Sequence, residues 1–187
     1  MKTQTLSANL SVNTAADYNV AMQLHRAFQS VFADIHSVIE AVPELLYVKI
    51  DGIASVGKHV RHILEFLDAL LDQYSTGIVN YDMRTRLERY ETQQGARDYM
   101  QVLGQKLDKL LLDSKVDVDG ELLVQRRLAP DGPFVDLQSS LGDQLAGVVD
   151  HATHHLSIIN MIAGQYDLKL REGLGVSPAT LVHLQSN

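Results

Sequence analysis

Five of the chain's 8 histidines fall in two short clusters, Lys58-His59-Val60-Arg61-His62-Ile63-Leu64 and Asp150-His151-Ala152-Thr153-His154-His155-Leu156. On a helix, residues four apart stand one above the other on a single face, so His151 and His155 can aim two imidazoles at one ion. His154 is rotated by about 100° from His155 and is the poorer ligand. A third imidazole would come from a second helix, where periodicity sets His59 nearer the centre of the apolar stripe and His62 at its edge. Both remain candidates at this point. Neutral imidazole is the form that binds a metal, and burial at the border of an apolar stripe favours the neutral form. The chain has no cysteine, so thiolate zinc sites, disulfides and cysteine nucleophiles are excluded and any metal must be held by imidazole or carboxylate.

The elements that must position these residues are helices. From Ala15 to about Val42 the apolar residues Val20, Leu24, Phe28, Val31, Ile35, Val38 and Ile39 recur at three- and four-residue spacing, and Pro43 ends the run. A second helix is predicted over about Ile53 to Tyr74, with Ser55 near its start and Gly77 beyond its end. Residues 75–91 read as irregular. The third helix is expected over about Thr92 to Leu112, with Ala96, Tyr99, Met100, Leu103, Leu107, Leu110 and Leu111 inward and the acidic stretch around Asp113 as its stop. A small β-hairpin should follow: Lys115 to Val124 alternates about Asp119-Gly120, and Asp131-Gly132 precedes the extended run Phe134 to Leu137. Ser139 or Ser140 can cap a fourth helix from Leu141 to about Gly164. The expected architecture is therefore all-α, an antiparallel four-helix bundle with one small hairpin between helices three and four. It forms a single domain over 1–187, with irregular termini at about 1–14 and 166–187 and a short helical turn after Ser177-Pro178.

A composition of 45% apolar and 21% charged residues suits one soluble domain with a sizeable core. The net charge of -7, with basic residues scattered, argues against nucleic acid as a partner. Apolar stretches such as Ile158 to Ala163 fall far short of the roughly 18 to 20 residues needed to cross a bilayer, so no membrane partner is expected. The polar opening Met1-Lys-Thr-Gln-Thr-Leu-Ser has no signal-peptide apolar segment, which makes the cytoplasm the expected location.

The segment from Ser55 through His62 to Leu64 resembles the second-helix motif of the DinB/YfiT-like superfamily of metal-dependent helical-bundle proteins. The segment His151-Ala-Thr-His-His155-Leu-Ser-Ile-Ile resembles that family's fourth-helix pattern, with ligands at its first and fifth places. The resemblance covers nearly the whole chain, and Tyr81-Asp-Met-Arg-Thr-Arg-Leu with Gly175-Val-Ser-Pro-Ala-Thr-Leu is similar to an uncharacterised subgroup. It implies His62, His151 and His155 as the metal ligands, with His59 as the alternative third. Where the family commonly continues with arginine, glycine and glutamine, this chain has Leu156-Ser157-Ile158.

Three imidazoles with one open position form the donor set of a catalytic site rather than a closed structural one. Zinc is the first expectation and nickel the second. Such a site would activate a water for hydrolysis, or a low-molecular-weight thiol for S-transfer, as in some relatives of the superfamily. The alternative is a non-catalytic, metal-stabilised binding or dimerisation module, since relatives often form homodimers. Arg84 and Arg86, with Asp82 in the same loop, are candidates to clamp a substrate carboxylate. Tyr47, Tyr81 and Tyr90 are candidate pocket donors. Asp150 and Glu65 are the carboxylates placed in sequence to orient the imidazoles, with solvated surface charge as their competing reading.

Overall fold

A computed structural model describes residues 19–112 and 116–186. Four long helices frame the fold: α1 (Val20–Ala41), α3 (Val56–Gln73), α4 (Gln93–Leu111) and α5 (Leu141–Gln165); two short ones, α2 (Glu44–Val48) and α6 (Pro178–Gln185), accompany them. Each long helix opens on a side-chain cap. Asn19, Ser55, Thr92 and Ser140 each accept a hydrogen bond from the backbone N–H three residues on, which satisfies a donor that the first turn leaves free. The expected start of the first helix at residues 15–18 and its irregular leader at 1–14 lie outside the described residues, as does the expected stop around Asp113.

The long helices close a ring in which α1 and α3 each pack on both α4 and α5. Phe28, Ile35 and Ile39 of α1, Leu64, Leu67 and Leu70 of α3, Leu103 and Leu107 of α4, and Leu145, Leu156 and Ile159 of α5 are fully buried in the centre. Each such side chain contributes roughly 1.5–3 kcal/mol through removal from water. All seven residues expected inward on the third helix are buried on α4.

The β structure is larger than a hairpin. Strands β2 (Glu121–Arg127) and β3 (Phe134–Ser140) pair antiparallel, from Glu121 opposite Ser140 to Arg127 opposite Phe134, and β1 (Ile78–Val79) adds a third strand parallel to β2. The chain reverses at residues 128–133. Asp119-Gly120 instead forms a turn before β2, where Asp117 accepts from the N–H groups of both Asp119 and Gly120. Leu122 and Val124 of β2 face the core, in the two-residue period of a half-buried strand.

The stretch 75–91 is ordered into 3-10 turns at Tyr74–Thr76, Tyr81–Met83 and Glu88–Glu91, with β1 between the first two. The C-terminal stretch is also more than a tail. Leu174 is buried, Arg171 pairs with the buried Asp34 of α1, and Ser177 caps α6. Gly175, at φ +73°, lies so close to α5 that a Cβ there would stand 2.2 Å from the Ser157 nitrogen, so only glycine fits.

Candidate metal centre

His62 projects from α3 and His151 and His155 from α5, along the seam where these two helices pack. The ring centroids are 4.9 Å apart for His62 and His151, 4.7 Å for His62 and His155, and 4.6 Å for His151 and His155. One nitrogen from each of the three rings lies within 4.8 Å of the others, a group that can hold a metal ion. Tetrahedral zinc with Zn–N of about 2.0–2.1 Å asks its ligands to stand about 3.4 Å apart, so at most modest side-chain rotation closes this group on an ion. A second observation fits the same role: His151 Nε2 is buried and has no hydrogen-bond partner among the described residues. A buried polar atom left unpaired is costly, and a coordinated cation is one way to satisfy it.

Periodicity alone points to His59, and the structure places His62 in the group instead. The apolar stripe of α3 marks the face turned to the common core, whereas the imidazoles line the flank turned to α5. His62 lies about 60° around the helix from His59, further from the core stripe. His59 contacts the group from the side, its Nδ1 3.0 Å from His155 Nδ1. His154 is exposed and outside the group.

Burial holds these rings in the neutral, metal-binding form. It lowers His155 to about 3 and His62 to about 4, with His151 adding to both, and it also lowers His151 and His59, where the nearby His154 contributes. Arg84 adds a further depression at His62 and His151.

Phe66 floors the site, stacked on His151 at 4.2 Å and edge-on to His62 at 4.7 Å. Tyr81 stacks against Phe66 at 5.0 Å and donates to Gln144 Oε1 of α5 at 3.0 Å, anchoring the 3-10 turn to the helix pair. Desolvation pushes the Tyr81 phenol up to about 12. Phe66 bears no group that marks it for chemistry, but its place four residues after His62, on the same helical face, is the sequence signal for its role here.

The expected charged partners are distributed differently. Asp150 is exposed on α5. Glu65 is neither solvated nor hydrogen-bonded to an imidazole: it is 1% exposed, accepts from the Leu87 N–H at 3.2 Å, and pairs with Arg61 at 3.3 Å and Arg84 at 3.8 Å. Burial raises its carboxyl above the usual range, opposed by Arg61, the Leu87 N–H and Arg84. Arg61 also pairs with Glu91. Arg84 lies over the Phe66 ring at 4.9 Å and donates to the Tyr81 carbonyl at 2.9 Å. Arg86 is exposed. Tyr47 is buried with its hydroxyl unpaired among the described residues, and Tyr90 stacks on Tyr99 at 3.9 Å.

A cleft of about 570 Å³ opens elsewhere, among Leu71, Tyr74, Lys106, Lys109, Leu110 and Leu122, with none of these histidines in its wall. No helix of the described residues is long and apolar enough to cross a membrane. Comparison with protein-family models and with curated proteins finds no match to this chain.

Proposed function

We propose that this chain is a DinB/YfiT-like four-helix-bundle protein that binds one divalent cation, zinc before nickel, through His62, His151 and His155 and uses it in catalysis. The observation that carries the reading is the convergence of three half-buried, neutral imidazoles from two helices, one of them with a buried nitrogen that nothing among the described residues satisfies. A histidine-only set of three leaves a tetrahedral cation one position for a water or substrate. Zinc bound there supplies Lewis acidity, which makes a water or thiol nucleophilic at neutral pH. The chain has no thiol of its own. S-transfer therefore takes a low-molecular-weight thiol as cosubstrate, and hydrolysis is the other reaction open to the site. Arg84 enters this reading as a fixed positive charge beside the imidazoles, and Arg86 as an exposed donor for an anionic substrate group.

One observation favours a second reading, a metal that only staples α3 to α5 in a binding or dimerisation module. Arg61 and Arg84 are compensated by Glu65 and Glu91, so the floor of the site offers little uncommitted positive charge.

The test is metal content after purification without a metal-affinity column, for the native protein and for His62→Ala. The expected result is one equivalent of zinc in the first and none in the second; equal retention in both rejects the ligand set. The zinc form is then offered thiols with an electrophilic acceptor and, separately, activated esters and amides. Turnover that disappears in His155→Ala supports the enzyme, and inactivity on both panels leaves the stapling role.

A further inference from the structure

His59 is left over by the ligand set, yet its ring centroid lies 5.2 Å from that of His155 and the two Nδ1 atoms are 3.0 Å apart. Two imidazole nitrogens at that separation form a hydrogen bond only if one carries the proton and the other offers its lone pair. If His59 were the donor, His155 would accept at Nδ1 and carry its own proton on Nε2, which leaves no lone pair for a cation. If His155 bound the cation through Nδ1, the contact with His59 would be lost. The arrangement compatible with both the contact and ligation has His155 donating its Nδ1–H to His59 Nδ1, with Nε2 facing the ion.

We infer that His59 is a positioning residue, resting on the metal reading above: it accepts the Nδ1 proton of His155 and so fixes the tautomer and ring orientation in which His155 Nε2 ligates. Metal-bound imidazoles ordinarily give their second N–H to a carboxylate or a carbonyl. Here the nearby carboxylates do not fill that role for His155, because Glu65 is committed to Arg61, Arg84 and the Leu87 N–H, and Asp150 is exposed. A neutral imidazole on the preceding turn of α3 takes it instead. His62 and His59, three residues apart on one helix, thus divide two tasks, the first as ligand and the second as orienter of a ligand on α5.

The experiment compares zinc affinity by competition with a chelating dye for the native protein, His59→Leu, His59→Asn and His62→Ala. Asparagine places a carbonyl oxygen near the position of Nδ1 and can accept the same proton, whereas leucine cannot. The expected pattern is a loss of about 10- to 100-fold in His59→Leu, recovery of most of it in His59→Asn, and abolition in His62→Ala. Nitrogen-15 long-range NMR on the zinc-loaded native protein should show His155 protonated at Nδ1 and His59 unprotonated there. Native affinity in His59→Leu, or a His155 ring protonated at Nε2, overturns the inference while leaving the metal site standing. Loss in both His59 variants as complete as in His62→Ala also overturns it, by making His59 a ligand. Failure of the native protein to bind zinc removes the metal reading and the inference together. Circular dichroism of each variant separates lost binding from lost folding.

Discussion

Holding three or four imidazoles neutral in a half-buried seam has a consequence for stability that is separate from metal chemistry. In the unfolded chain these rings titrate near the ordinary value of about 6.5, while in the folded protein burial depresses His62 to about 4 and His155 to about 3, and lowers His59 and His151 as well. Between these limits the unfolded state binds more protons than the folded one, so stability rises with pH there and is lost as pH falls below about 6.5. The metal-free protein should therefore lose resistance to urea steeply from pH 6.5 to 4, and His62→Gln should lose it less steeply; superimposable pH profiles would refute the neutral cluster. Glu65 presents the opposite case of a buried charge that needs its partners. Replacing it with glutamine keeps the side chain's shape but leaves the mostly buried Arg84 without its paired carboxylate and Arg61 with Glu91 alone. A cost of about 3 kcal/mol or more is expected from breaking a buried ion pair on one side. Denaturant titration checks it, and a change under 1 kcal/mol would mean that the two guanidiniums find other compensation.

The helices carry the site because of where they touch. Gly57, in the first turn of α3, sits so close to the 3-10 turn Glu88–Glu91 that an added Cβ would lie 2.0 Å from the Glu91 carbonyl oxygen. The obstacle is backbone and cannot rotate away, so Gly57→Ala must push the turn off the helix. That displaces Glu91 from Arg61 and loosens the anchorage beside His59. A loss of about 1–3 kcal/mol is expected, against the small gain that alanine brings to an open helix; a melting temperature at or above the native value would show that the turn yields freely. The same element explains what could be read from sequence and what could not. The long helices followed from the apolar period, with Ser55 near the start of the second and Ser139 or Ser140 before the fourth as local signals; the cap at Thr92, which the period alone sets inside the third helix, and the short α2 emerge only from the structure. The parallel pairing of β1 with β2 and the docking of Leu174 against the helices are long-range events with no local signature. The three histidines that could hold an ion were recognisable as members of two clusters, and the i,i+4 pair in α5 was plain. The choice between His59 and His62 required the flank of α3 that meets α5, which an apolar stripe does not reveal because it marks only the face turned to the common core.

At the scale of the molecule, α3 and α5 are separated by a long stretch of chain that includes α4 and the sheet, so an ion shared between His62 and His151 with His155 ties together parts of the protein distant in sequence. The unfolded chain has no such convergence of ligands. A cation that binds only the folded state therefore stabilises it by mass action, by about 2.7 kcal/mol when free zinc is 100 times its dissociation constant, and more at higher concentration. Thermal melts of the native protein should move upward continuously with free zinc and return with chelator, while His62→Ala should show no zinc-dependent rise. The comparison also distinguishes this seam from incidental binding at the exposed His154, because His154→Ala should keep the whole zinc response. A rise that survives His62→Ala but vanishes in His154→Ala would move the ion to the protein surface and leave the buried rings as hydrogen-bonded packing of α3 against α5.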